Sequence, residues 1–433
     1  MDRRTYVATG VSIVLAGCTE LGGPGESDTN DDHSSESDES TDDTSSDTDD
    51  ADGSDEDDYP ELVGTFDDFE DLDEWWTWQD IGSLQADASR SYDGSQSALL
   101  TSSTESDGQV RIRRELDDPI DVRDVAPGIA TATDTDQGVV RIQLQDEDAH
   151  YVEYSQQIQG DMPLTRTNFG ITRVRGEPDL SEVVVLQIIR WFGDDAEGQQ
   201  WVDDFHFVPD TDPGKVMLQF HGGYETHYTE ALSRVEEYDF PAAAFVPTGR
   251  LRDDASVEGD RLTREQLDEL AGSGWTIGAQ PATGMPLGNV DSDRLEDVIV
   301  DPIDWLSDEG YEAGARFFAF PASRYTEESY ELVKAHYDLA FAGRSQSQGY
   351  AGNPHLCSRV TASSPEEATE LLEWTVKWGG ITNIAFYQLD DATALEALDE
   401  TLSSLEEHAS AGDLEVITPA EMADEYVYRG ERF

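Results

Sequence analysis

The stretch that decides the fold of the second half of the chain is residues 239–249, which read DFPAAAFVPTG. Its apolar centre, residues 242–246, predicts a buried β-strand. A helical pattern at residues 229–238 precedes this strand, and an apolar strand at residues 215–220 precedes that helix. Strands that alternate with helices predict an α/β fold built on parallel strands.

The same alternation continues to the end of the sequence. A helix at residues 263–271 ends at Gly272, and a strand at residues 317–320 leads into a helix from residue 327. The later elements are a helix at 365–378, a strand at 381–386, a long helix from 394 and a last strand at 414–417. In barrels of alternating strands and helices, the chemistry lies at the C-terminal ends of the strands.

Four motifs at these strand ends resemble the polysaccharide deacetylase family, whose domain is called NodB-like. They are residues 239–249, the GWTIG of residues 274–278, the FAFPASRY of residues 318–325 and the ITPAE of residues 417–421. The resemblance covers residues 214–433 and implies a distorted (β/α) barrel. It also implies a hydrolase that uses a divalent metal to remove acetyl groups from N-acetylated glycans.

The positions that would carry this chemistry are substituted. Where the family has T-F-D-D-G, the sequence reads QFHGG, so His221 stands for the catalytic base and Gly222 for a metal ligand. Where the family has H-[ST]-x-x-H, the sequence reads QPATG, so Gln280 and Gly284 replace the two ligand histidines. Tyr387 falls at the position of the general acid. A catalytic zinc-type site needs three protein ligands, so no cofactor is expected in the barrel.

Two ways of rebuilding a site stay open. His221 and His227 could form a new metal site with Asp390 or Asp391, since histidine is a good metal ligand. Alternatively, His221 could act as a base without a metal. Arg359, in the run Cys357 to Val360, resembles a family arginine that helps to orient the base.

Residues 60–209 have a different pattern. Short β-rich runs at residues 110–113, 138–144 and 183–189 alternate with turn clusters, which predicts a β-sandwich. Residues 66–75, 91–99 and 201–207 resemble the opening strand, hairpin and closing strand of jelly-roll, galactose-binding-like carbohydrate-binding modules. The whole chain is therefore expected to be multidomain, with this β-sandwich at 60–209 followed by the α/β barrel at 214–433.

The resemblance to jelly-roll modules suggests two kinds of site. Glu70 could meet Asp203 or Asp204 at a structural Ca²⁺, because carboxylate oxygens suit this cation; the other interpretation is that these are ordinary surface acids. Five tryptophans could stack on sugar rings, with one or two of them exposed and the rest in the core. They are Trp75, Trp76, Trp78, Trp191 and Trp201.

The first 59 residues have the pattern of an export signal followed by a disordered tether. Two arginines precede a short apolar run and the sequence LAGC, which predicts a twin-arginine signal peptide and lipobox at residues 1–18. Cys18 is then the lipidation site. Residues 19–59 are acidic and polar and predict a disordered tether. We expect a protein anchored by lipid at the extracellular face of the cell membrane.

The net charge of the chain limits the kinds of partner that it is expected to bind. The formal net charge is -68, from 95 acidic and 27 basic residues, which favours a halophile and disfavours binding to nucleic acid. Besides Cys18 the sequence has a single further cysteine, Cys357, for which we expect a buried position.

Three functions follow as hypotheses. The first is a cell-surface protein that binds extracellular or surface-layer glycans and has lost the metal. The second is an active deacetylase with a site rebuilt around His221. The third is a structural or adhesion protein whose domains act as spacers.

Overall fold

The computed structural model describes residues 59–194 and 196–430. The predicted signal peptide, its lipidation site Cys18 and the predicted tether up to residue 58 lie outside the described residues. Among the described residues, no helix has the length and apolar character needed to cross a bilayer.

The first half of the described chain is built of strands. The strands are β1 (Gly64–Asp67), β2 (Trp76–Thr77), β3 (Ser83–Asp87), β4 (Ser97–Thr101), β5 (Gln109–Ile120), β6 (Val125–Thr133), β7 (Gln137–Gln145), β8 (Tyr151–Gln159), β9 (Thr165–Asn168), β10 (Gly170–Arg175), β11 (Val183–Trp191) and β12 (Gln199–Pro209). In the described part of this half, the helical segments are the 3₁₀ turns Trp78–Asp80 and Thr104–Ser106.

These strands form two antiparallel arrays. One has the order β3-β4-β12-β6-β9 with β1 paired to β12, and the other has the order β10-β8-β7-β11-β5-β2. Alternate residues of the second array point into a shared core: Ile112, Ile188, Ile142 and Tyr154 lie opposite one another on adjacent strands and are buried. Because side chains alternate along a strand, the residues between them lie on the other face of the sheet.

The second half alternates strands and helices, as the sequence predicts. The strands are β13 (Gly214–His221), β14 (Ala243–Pro247), β15 (Thr276–Gln280), β16 (Phe317–Ala319), β17 (Leu339–Phe341), β18 (Gln346–Gln348), β19 (Ile381–Phe386) and β20 (Leu414–Val416). The helices are α1 (Ser233–Glu236), α2 (Arg264–Gly272), α3 (Leu295–Asp308), α4 (Glu327–His336), α5 (Pro365–Trp378), α6 (Ala392–Ala411) and α7 (Pro419–Glu425), and a π-helical segment, His227–Leu232, leads into α1.

Local chemistry explains where these helices begin. Thr263, Thr326 and Thr418 each accept a hydrogen bond from a backbone N–H of the first turn, and the third helical residue bonds back to complete a capping box. The strands β13 to β17 and β19 pair in parallel, so their C-terminal ends lie at the same end of the fold.

Parallel pairing also runs through the segment that contains Arg359. Phe341 at the end of β17 pairs with Cys357, and Val360 pairs with Ile384 in β19. This segment therefore lies between β17 and β19, and the pairing returns from there to β13. Cys357 is buried, which confirms its expected position.

The two halves share one sheet. The short strand β18 pairs antiparallel with β10 on one side and with β19 on the other. Asn168 and Asn353 add two hydrogen bonds across the same region, of 2.7 and 2.9 Å. The predicted domains at 60–209 and 214–433 are thus joined by backbone hydrogen bonds as well as by the chain.

Candidate functional site

His221 closes the C-terminal end of β13 and is fully buried. Its Nε2 lies 2.9 Å from Oε1 of Gln219, and its Nδ1 lies 3.4 Å from Nε2 of Gln280. Since an amide oxygen only accepts and an amide nitrogen only donates, Nε2 carries the proton and Nδ1 accepts. The ring stacks on Phe245 with a centroid distance of 5.1 Å.

The surroundings keep His221 neutral. Burial lowers the pKa of the imidazole well below its usual value, and the nearby charge of Arg359 lowers the pKa further. Both ring nitrogens already have protein partners. A general base needs a free lone pair within reach of the proton that it removes, and His221 offers none.

At the two glycines that the resemblance aligns with metal ligands, neighbouring side chains fill the space that a larger side chain would need. A Cβ on Gly222 would lie 2.5 Å from ring atom Cε2 of Tyr224, and the backbone there has φ +99°. The guanidinium of Arg261 covers the ring of Tyr224 at 3.8 Å. At Gly284, with φ +65°, a Cβ would lie 3.1 Å from Pro247 Cβ and from Arg250 Cδ.

The alternative metal site is not assembled. His227 is buried, and its Nε2 lies 3.0 Å from the carbonyl oxygen of Tyr387. Asp391 caps α6 by accepting from the N–H of Ala394 at 2.9 Å, and Asp390 is exposed. In residues 59–194 and 196–430, no three His, Cys, Asp or Glu side chains come together as metal ligands. The residues present therefore do not fit a catalytic divalent metal.

Tyr387 and Arg359 differ in their surroundings. Tyr387 is 40% exposed, and its ring lies 5.7 Å from that of His221. Arg359 is buried and donates hydrogen bonds to the carbonyl oxygens of Phe341 and Phe320, the latter at 2.6 Å. These carbonyls lie at the ends of neighbouring strands, so Arg359 holds the strand ends together.

The carboxylates of the expected calcium site have protein partners. Glu70 accepts from the backbone N–H and the hydroxyl of Ser95, both at 2.6 Å. Asp204 is buried, which raises its pKa, but hydrogen bonds from His206 and Arg166 outweigh burial and hold the pKa below its usual value. Asp203 accepts from the backbone N–H of Tyr92 at 2.6 Å. A cation at this place stays a prediction.

The five tryptophans divide by exposure. Trp75 and Trp201 are buried, and each indole N–H donates to an aspartate at 2.8 Å. Trp78 is half-buried with the guanidinium of Arg113 over its ring at 4.7 Å. Trp76 is 41% exposed and Trp191 is 48% exposed. These two are the tryptophans that can meet a ligand.

Both exposed tryptophans belong to a surface that we call the polar face. It is the face of β2, β5, β7, β8, β10 and β11 that points away from the core. One row of paired residues crosses all six strands: Trp76, Arg113, Gln187, Gln143, Glu153 and Arg173. The sequence signal for this row is the alternation of polar and apolar residues, but its alignment depends on strand register.

The side chains of the polar face are held by one another. Arg111 donates to Oε1 of Gln187 at 2.7 Å and to Oε1 of Gln143 at 2.8 Å. Gln143 in turn donates to Glu153 at 2.6 Å, and Gln187 donates to Gln145 at 3.0 Å. Gln143 is 4% exposed and Gln187 is 2% exposed, so this network is buried and orders the side chains around it.

Comparison with known families matches residues 209–339 to polysaccharide deacetylase. This range contains His221, Gly222, Gln280 and Gly284 and covers under a third of the chain. No curated protein matches the sequence.

Solved structures with local likeness include three acetyl-removing or esterase proteins. The Streptococcus pyogenes deacetylase PplD with acetate is 20% identical, over 36% of this chain and 69% of that chain, with a TM-score of 0.31. A family 4 carbohydrate esterase from Streptomyces lividans with acetate is 11% identical, over 48% and 94%, with a TM-score of 0.34. A family 4 acetyl xylan esterase from Clostridium thermocellum with cobalt is 20% identical, over 48% and 89%, with a TM-score of 0.35.

Proposed function

We propose that this chain is a cell-surface lipoprotein that binds extracellular polysaccharide and that its deacetylase-like region has lost metal-dependent hydrolysis. The single observation that carries the proposal is the state of His221. The residue at the position of the catalytic base is buried, neutral and hydrogen-bonded through both nitrogens.

Loss of hydrolysis follows from three missing functions. Amide hydrolysis by the family's chemistry needs a metal to polarise the carbonyl, a base to activate water and an acid for the leaving amine. Gly222 and Gly284 offer no ligand atoms, and neighbouring side chains fill the space beside them. A protein with this fold but without these three groups can still bind a glycan, although it cannot hydrolyse one by this chemistry.

The polar face supports glycan binding. Glycans present ring hydroxyls, which exchange hydrogen bonds with amide and guanidinium groups, and apolar ring faces, which pack on aromatic rings. Arg173 and Arg175, which are exposed on β10, supply the first kind of contact, and the exposed Trp76 supplies the second. We place the jelly-roll module at 60–209 as the glycan-binding part and a distorted barrel at 214–433 as its partner.

The proposed location in the cell rests on the sequence of residues 1–59. A twin-arginine signal and a lipid on Cys18 would hold the protein at the outer face of the membrane. The acidic residues 19–59 would then separate the folded part from the membrane surface by self-repulsion. The partners in this setting are extracellular or surface-layer glycans, and a structural Ca²⁺ beside Glu70 belongs to the same proposal.

The experiment uses the chain from residue 19 onward, without lipid, in multimolar KCl. Its migration is measured in gels that contain a panel of neutral and charged polysaccharides. Retardation by at least one polymer, without release of acetate from acetylated oligosaccharides, supports the proposal. Migration that no polymer changes would contradict glycan binding.

An active deacetylase is the second candidate, because residues 209–339 match the polysaccharide deacetylase family. A metal-dependent site would require a group of ligand side chains, and the described residues do not bring three of His, Cys, Asp or Glu together. Acetate release that is lost in His221→Ala would favour this candidate.

A further inference from the structure

The polar face carries a charge opposite to that of the rest of the chain. Its arginines are Arg111, Arg113, Arg141, Arg173 and Arg175, and its acids are Glu115 and Glu153. Counted over the residues that pair in register, five positive and two negative charges give a local sum of +3, in a chain whose formal net charge is -68; Asp117 and Asp118 lie in the part of β5 where the register shifts. A basic surface on so acidic a protein marks a place where an anion is favoured.

Three of these arginines have no carboxylate partner among the described residues. Arg113 pairs with Glu115 at 2.9 Å and Arg141 with Glu153 at 3.4 Å. Arg111 bonds to amides only, and two strands lie between it and Glu153 on β8. Arg173 and Arg175 are exposed, and neither forms an ion pair within the described part of the chain.

This lack of pairing stands out because carboxylates are abundant. The chain has 95 acidic residues for 27 basic ones. Elsewhere, Arg114 contacts two carboxylates and Arg316 contacts two. The arginines on β10 thus keep their guanidinium groups free of ion pairs, although Glu153 lies opposite Arg173 on β8.

The arrangement is extended rather than pocket-like. The row from Trp76 to Arg173 crosses six strands, and five interstrand steps of roughly 4.8 Å make about 24 Å. Arg173 and Arg175 are two residues apart on one strand, which separates them by roughly 6.8 Å. The middle of this row is buried and its two ends, Trp76 and Arg173, are exposed, so a ligand that meets both ends must be an extended polymer.

We propose that the polar face binds an anionic polysaccharide, one whose sugars carry carboxylate or sulfate groups. The guanidinium groups of Arg173 and Arg175 take the anions through paired N–H donors, which match the two oxygens of a carboxylate or sulfate. Trp76, exposed at the other end of the row, packs on a sugar ring. This inference rests on the proposed function and names the class of glycan.

Salt should weaken binding at such a site. At 1 M salt the screening length is roughly 3 Å, so attraction over a distance is lost and contacts to the exposed Arg173 and Arg175 are weakened. Affinity for an anionic polymer is therefore expected to fall as the KCl concentration is raised.

The test compares three polymers with the chain from residue 19 onward: a polyuronate, a sulfated glycan and neutral dextran. The variant is Arg173→Gln/Arg175→Gln. The matched control, Arg123→Gln/Arg294→Gln, removes the same charge from exposed positions off this face. We expect a polyanion to bind more tightly than dextran, with about a tenfold or greater loss in the variant and under about twofold loss in the control.

The outcomes separate the inference from the proposed function. Preference for polyuronate or for the sulfated glycan identifies the anionic group, and both support the inference. Binding of dextran with equal affinity and no effect of the variant would overturn the anionic class while leaving glycan binding intact. Failure of all three polymers would contradict both, and displacement of the polyanion by DNA at equal charge would reassign the face to nucleic acid.

Discussion

The ring of Tyr224 fills the space that a side chain on Gly222 would need. A Cβ on Gly222 would lie 2.5 Å from Cε2 of Tyr224, closer than carbon atoms approach without displacement. The backbone of Gly222 also has φ +99°, which favours glycine. Glycine is therefore the residue that fits this position without displacing Tyr224.

The first prediction concerns this glycine. Gly222→Ala is expected to reduce the free energy of unfolding by about 1–3 kcal/mol, because the new methyl group meets Tyr224 and the φ angle becomes strained. Gly272→Ala is the control, since no atom lies within 4 Å of its Cβ position and it belongs to helix α2. Thermal unfolding should show the control unchanged or slightly more stable. Equal effects of the two changes would contradict the packing argument.

The second prediction separates two neighbouring tryptophans. Trp76→Ala should weaken binding to the polysaccharide identified above about tenfold and leave the melting temperature nearly unchanged, because Trp76 is exposed on the polar face. Trp75→Ala should instead lower the free energy of unfolding by about 3–5 kcal/mol, because Trp75 is buried against Phe69 and bonded to Asp67. Unaltered binding by Trp76→Ala would exclude this residue from the site.

The third prediction assigns Arg359 a structural role. Arg359→Met should lower the free energy of unfolding by about 2–4 kcal/mol, because the carbonyl oxygens of Phe320 and Phe341 lose their buried donor. Arg316→Met should cost under about 1 kcal/mol, since Arg316 pairs with exposed carboxylates. Chemical unfolding measures both. A cost for Arg359→Met no larger than that of Arg316→Met would contradict the role.

The fourth prediction is a pH dependence. Burial lowers the pKa of His227 from 6.5 to about 4. The unfolded chain therefore binds the proton first, so stability is lost as pH falls below 6.5, at about 1.4 kcal/mol per unit, and the loss levels off below about 4. His227→Gln should flatten the slope of unfolding free energy between pH 6.5 and 5. His336→Gln, at an exposed position, should leave that slope as it is.

The sequence predicts the alternation of strands and helices because apolar runs and N-cap residues are local signals. Thr263 and Thr326 begin helices close to the expected positions. The short strand β18 could not be predicted, since three residues rich in glutamine carry no strand pattern and owe their conformation to β10 and β19. Sequence patterns thus fall short where pairing across the chain decides the structure.

The candidate site also combines features that the sequence predicts with features that depend on pairing across the chain. The resemblance in the sequence predicts that Gly222 and Gly284 stand where the family has metal ligands. The burial of His221 and its two hydrogen bonds depend on Gln219 and Gln280 meeting across strands, which a sequence alone does not reveal. The alignment of Trp76 with Arg173 across six strands likewise depends on register.

The most direct test of the central claim is acetate release from acetylated oligosaccharides by the chain from residue 19 onward, after incubation with Zn²⁺ or Co²⁺ and removal of free metal. The account predicts no acetate above the rate without protein, because the base position is buried and the ligand positions lack side chains. Acetate released at a rate that requires the metal and falls to background in His221→Ala would contradict the account.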